Sequence, residues 1–129
     1  EAELFCEEKR VEDALEDYFT AGATCFTSKD TPAGCFMINT SATLAASSEE
    51  IAHTVKSRHA MQEETLCRFL QQRQQRGEIP AQCDPQKLAQ YLSCILQGMS
   101  ISAREGASLE KLQTITQTTL RLWPELLKS

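Results

Sequence analysis

Apolar residues recur along this chain with the period of a helix and nowhere alternate for long with the period of a strand. The stretch from Leu4 through Ser28 carries Leu4 and then Val11, Leu15, Tyr18, Phe19, Gly22 and Phe26, which from Val11 onward fall at i, i+4, i+7, i+8, i+11 and i+15, one face of a rod turning 100° per residue. That helix is predicted to end before Ser28-Lys29-Asp30-Thr31-Pro32-Ala33-Gly34, where Pro32 and Gly34 mark a turn. A short helix over 35–46 follows, and Ser47 with Glu50 has the spacing of a capping box for the next. The long helix over 48–76 ends at Gly77, and its inward stripe reads Ile51, Val55, His59, Gln62, Leu66, Phe69 and Leu70. Asp84 before Pro85 is a cap followed by proline in the first turn, opening a helix that runs to about Glu105 and stops at Gly106. Ser108 caps the last helix, which reaches Trp123 before Pro124 bends or stops it. The expectation is an all-α domain of about five helices with no strands.

The helix after Asp84 carries two apolar stripes. Leu88, Leu92, Ile95 and Met99 form one; Tyr91, Cys94, Gly98 and Ile101 form the other, offset around the rod. A surface helix needs a single stripe, so the second is expected to meet another surface, such as a second copy of the chain. Small residues (Gly98, Ser102 and Thr116) suit close helix approach.

Composition adds little to this picture except by exclusion. With 129 residues, 41% hydrophobic and 24% charged, the chain is long enough for one domain with its own core. No apolar run approaches the ~20 residues of a bilayer-spanning helix. The acidic start lacks the layout of a signal peptide, so a cytoplasmic location and no membrane partner are expected. Net charge is −5, but residues 1–17 hold eight acids against Lys9 and Arg10. With no basic stripe to neutralise phosphates, direct nucleic-acid binding by this chain is not expected.

Candidate chemistry is sparse. Glu50-Ile51-Ala52-His53 has the spacing of a di-iron half-site, but a working site needs a second such motif and further carboxylates facing it. His53 and His59 stand six apart, poorly placed to chelate together. No catalytic triad order, Gly-rich phosphate loop or H-E-x-x-H occurs, so no enzyme, no catalytic residue, no metal ligand and no cofactor is expected. The six cysteines (Cys6, Cys25, Cys35, Cys67, Cys83 and Cys94) form no C-x-x-C pair and are expected to be mostly buried thiols acting as small hydrophobes. His59 and Gln62 interrupt the inward stripe of the long helix and must find partners, either in the core or from a ligand. Asn39 and Thr43 share one side of the short helix. If both helices face one space, it is an apolar pocket with a few polar points, the usual make-up of a small-molecule site.

The stretches Gly34-Cys35 through Asn39, Gly77-Glu78-Ile79-Pro80, Asp84-Pro85 with Leu88-Ala89, and Leu96-Gln97-Gly98, in this order and spacing, resemble the C-terminal regulatory domain of TetR-family transcriptional repressors. The resemblance covers about Val11 to Trp123. It implies an antiparallel helical bundle in which the earlier helices surround an effector cavity and the last two pair with their counterparts in a dimeric four-helix interface. On that basis the effector pocket is expected to be walled by Tyr18, Phe19, Gly22, Phe36, Asn39, Thr43, His59, Gln62 and Leu66. The dimer interface is expected at Tyr91, Cys94, Gly98, Ile101, Ile115, Thr119 and Leu122. The implied partners are a second copy of the chain and an unidentified small-molecule effector. Operator DNA would be reached only through the family's N-terminal helix-turn-helix domain, which this sequence does not contain; residues 1–129 read as a single domain. Two rivals use the same fold: a redox or metal sensor built on Cys25, Cys35 and Cys67 with Met37 or His59 nearby, and a purely structural dimerisation module.

Overall fold

In a computed structural model, residue 5 and residues 8–28 and 48–128 are described. They form five helices: α1 (Val11–Thr27), α2 (Ser48–Gln75), α3 (Pro85–Arg104), α4 (Leu109–Arg121) and the single turn α5 (Trp123–Leu126). There is no strand among the described residues. The expected short helix over 35–46, the Ser47 end of the capping box and the side chain of Ile51 lie outside them.

The boundaries follow from local chemistry. Asp84 caps α3 by accepting from the Gln86 N–H at 2.9 Å, and Ser108 caps α4 by accepting from the Lys111 N–H at 3.1 Å. Gly77 and Gly106 take φ of 85° and 99°, the left-handed conformation that closes α2 and α3. Each closure has the paired backbone bonds of that motif, Glu78 N–H to Arg73 C=O and Ala107 N–H to Ser102 C=O, both 3.0 Å. Pro124 ends the regular ladder of α4 and starts the short α5.

The third helix is the centre of the molecule: α2 packs along it, and α1 and α4 pack on it and on each other. The core gathers Val11, Leu15 and Phe19 from α1, Leu66, Phe69 and Leu70 from α2, Leu88, Leu92, Leu96 and Met99 from α3, then Leu112 and Trp123. The buried arc of α3 is wider than one apolar stripe. Beside Leu88, Leu92, Leu96 and Met99 it includes Ala89, Ser93, Ser100 and Ala103, whose small side chains suit close approach of α2. Trp123 is 2% exposed, and its indole N–H has no hydrogen-bond partner among the described residues. That orphan donor costs about 1–3 kcal/mol, offset by burial of the ring.

Candidate ligand site and association face

Six of the nine residues expected to wall the pocket are described; Phe36, Asn39 and Thr43 fall outside. Leu66 and Phe19 are core residues, 0% and 2% exposed, while Tyr18, Gly22, His59 and Gln62 are half-buried. They do not all share one space. Phe19, at one edge of the α1 stripe, faces an apolar recess with Leu15, Leu92, Thr116, Thr119, Leu120 and Trp123, on the α3–α4 side. Gly22 faces α3 rather than open room: a Cβ there would meet Leu96 Cδ2 at 3.6 Å and the Phe26 ring at 3.7 Å, ordinary contact distances.

What the structure does bring together is a polar seam between α2 and α3. Ser93, 1% exposed, donates to Gln62 Oε1 at 3.5 Å and accepts from Gln97 Nε2 at 3.4 Å. Both bonds are long, so the three groups satisfy one another weakly. Buried Thr65 lies on α2 near this level and buried Ser100 further along α3. Burial holds the His59 pKa below its ordinary 6.5, which favours the neutral imidazole. Ser93 and Gln97 were not singled out in the sequence, although Ser93 interrupts Ala89–Leu96 on α3 much as Gln62 interrupts the stripe on α2.

A second concavity, a polar groove of about 620 Å³, opens between α1 and α4 and is lined by Glu16, Thr20, Gln113, Gln117 and Arg121 among others. Gln117 donates to Glu16 at its edge, 3.3 Å. It contains none of the expected pocket residues.

The cysteines depart from expectation. Of the four described, only Cys83 is buried, donating from Sγ to the Leu127 carbonyl at 2.6 Å; Cys25 and Cys94 are exposed and Cys67 is half-buried. Exposure follows from their register: Cys94 lies on the α3 face turned away from the core, and Cys25 on the outer side of the last turn of α1. The Cys67 thiol is pushed up, by burial first and then by the carboxylates of Asp84, Glu63 and Glu64, so it stays protonated and weakly reactive. Among the described residues no group of three His, Cys, Asp or Glu side chains is placed to hold a metal ion; Cys6, Cys35 and Met37 lie outside them.

On the opposite side of α3, the second apolar stripe is turned to solvent. Ile101 is 55%, Tyr91 39% and Leu122 of the α4–α5 junction 44% exposed, with Cys94 also exposed. A Cβ built on Gly98 would meet nothing within 4 Å. Ile115 is half-buried, whereas Thr119 is enclosed by its own chain, 5% exposed, its hydroxyl donating to the Ile115 carbonyl at 3.0 Å.

These features have counterparts in known proteins. Over 128 residues the chain is 72% identical to the HTH-type transcriptional repressor ComR of Escherichia coli (strain K12), an alignment that takes in 99% of this chain and 61% of ComR. A cysteine mutant of the TetR family transcriptional regulator CifR, solved with 26-base-pair double-strand operator DNA, has the same fold at a TM-score of 0.65. That match has 24% identity and covers 89% of this chain and 60% of the CifR chain. The chain thus spans about three fifths of the length of each of these relatives. Residues 11–119, from the first residue of α1 almost to the end of α4, match the family described as Tetracyclin repressor-like, C-terminal domain, and the chain belongs to that family.

Proposed function

We propose that this chain is the effector-sensing and dimerising part of a TetR-type transcriptional repressor. It acts by binding and not by catalysis, with operator contact made elsewhere in such a protein. The observation that supports the sensing role is the seam of uncharged polar groups between α2 and α3, where buried Ser93 is bonded to half-buried Gln62 and Gln97 beside the core residues Leu66 and Leu96 of the same helices. A ligand that offered these groups shorter hydrogen bonds would be favoured by the arrangement of α2 and α3 that admits it, and would shift the population toward that arrangement. The coupling needed to release an operator is on the order of 1–3 kcal/mol. Neutral amides, a hydroxyl and a neutral His59 suit an uncharged or weakly anionic amphipathic effector.

The test is a thermal-shift panel of such compounds, run beside copper and zinc salts and preceded by native mass spectrometry for a retained ligand. At about 100 times its Kd a ligand adds roughly 2.7 kcal/mol, on the order of ten degrees for a chain of this size. The expected result is an organic compound whose stabilisation is lost in Gln62→Leu and Ser93→Ala. Stabilisation by metal salts alone, lost when Cys25 or Cys35 is replaced, would move the sensing chemistry to the cysteines.

A further inference from the structure

The segment leading into α1 is held by a side chain outside the Gln62–Ser93–Gln97 seam. Arg73, in the last turn of α2, is 2% exposed. Its Nη1 donates to the Lys9 carbonyl at 2.5 Å and to both carboxylate oxygens of Glu78 at 3.1 Å. Its Cζ stands 5.2 Å from the centre of the Phe69 ring, and that ring meets Phe5 edge-on at 6.4 Å between centroids. The Lys9 ammonium in turn pairs with Asp17 on α1. One guanidinium therefore joins three pieces of chain: the approach to α1, the end of α2, and the Gly77–Pro80 turn. A buried ion pair of this kind adds little net stability over apolar packing, but it fixes geometry, since one nitrogen, Nη1, must reach the carbonyl and the carboxylate together.

We propose that Arg73 is a positioning residue, a buried latch that carries the position of α2 to the segment preceding α1. The inference rests on α2 being a wall of the effector site. Gln62 lies eleven residues before Arg73 on the same helix, about 16 Å along its axis. A tilt or slide of α2 set by contacts at Gln62 therefore moves the guanidinium, and with it the Lys9 carbonyl. Leu66, Phe69 and Leu70, fully buried between these two points, make that length of α2 move as one piece.

Trypsin reads the latch directly, because the Lys9 carbonyl that Arg73 holds is the one trypsin must attack to cut after Lys9. Arg73→Met in the 129-residue chain is expected to speed cleavage after Lys9 about ten-fold or more, with cleavage after Lys128 unchanged. Equal rates after Lys9 in the two proteins overturn the latch. If circular dichroism shows that Arg73→Met does not fold, Arg73→Gln gives the same reading, because its shorter, uncharged side chain cannot hold the Lys9 carbonyl and the Glu78 carboxylate together. Transmission is read by adding Gln62→Leu to both backgrounds. It should change cleavage after Lys9 several-fold in the Arg73 protein and not in Arg73→Met; an equal change in both overturns the coupling. No effector enters this experiment, so its failure leaves the sensing role standing, and a failed ligand search leaves the latch standing.

Discussion

Ser93 and Gly22 sit on facing elements and set opposite constraints. The Ser93 hydroxyl is buried with two long bonds, so removing it as Ser93→Ala takes away one weak donor and leaves Gln62 and Gln97 room to turn. Gly22 is in ordinary contact range of Leu96 and Phe26, so Gly22→Leu must displace one of them, an overpacking cost of about 1–3 kcal/mol. Urea unfolding of Gly22→Leu is expected to show that loss, and ligand stabilisation at the seam should fall with it; an unchanged midpoint would mean that the space beside Gly22 is larger than these contacts allow. His59 gives a pH dependence. Burial depresses its pKa, so the folded chain takes up a proton less readily than the unfolded one. Its effect on stability is therefore flat above about pH 7 and unfavourable as pH falls below 6.5 toward the folded value. The unfolding midpoint should drop between pH 7.5 and 5.5, and less in His59→Gln; equal drops in the two would exclude His59 as the cause. At this scale the sequence was partly legible. Leu66 and Gln62 were readable from the α2 stripe, but Arg73 was not, because an arginine scores as surface. Its place three and four residues beyond Leu70 and Phe69, on the same buried face, with Glu78 five residues later, was the available signal.

Elements were legible wherever a cap or a glycine announced them. Asp84, Ser108, Gly77 and Gly106 each perform the expected closure, because these side chains satisfy orphan backbone groups whatever the tertiary surroundings. Gly106→Ala forces a side chain into φ near 99° and is expected to cost about 1–2 kcal/mol, and Ser108→Ala about 0.5–2 kcal/mol. Both are measurable as lowered urea midpoints with an unchanged slope; a Gly106→Ala protein as stable as the parent would mean that the turn rearranges freely. The second buried face of α3 was not legible. Ala89, Ser93, Ser100 and Ala103 are small or polar and do not register as a hydrophobic stripe, yet α2 packs there because their size permits it. Of the stripe Leu88, Leu92, Ile95 and Met99, three are core residues and Ile95 is half-buried against them. Around α3 the buried positions fill one continuous arc, and Tyr91, Cys94, Gly98 and Ile101 occupy the remaining side at angles between them of only about 80°.

At the scale of the whole molecule, that remaining side is where a second copy of the chain is expected to pack. A lone chain leaves Ile101 55%, Leu122 44% and Tyr91 39% exposed, two of them on one face of α3 with Cys94 and Gly98 between. Ile115 and Leu122 are seven residues apart, and so fall on nearly the same side of α4 and its continuation. We propose that exposed apolar groups aligned in this way form the association surface of the chain. Gly98 gives the close approach: among the described residues, and apart from its own stretch of helix, nothing comes within 4 Å of a Cβ built there, so a facing helix is free to pack against the bare backbone. An obligate dimer would bury upward of ~2,000 Å² in total. Thr119, enclosed by its own core, would contribute little to it. Gly98→Arg leaves the isolated fold undisturbed, because the new side chain points into open space, but it would place an unpaired charge at the centre of the crossing. Sedimentation velocity is therefore expected to show a dimer for the parent and a folded monomer for Gly98→Arg, with Ile101→Glu behaving alike. A Gly98→Arg protein that sediments as an undiminished dimer would move the interface off α3, leaving the polar groove between α1 and α4 as the next surface to examine.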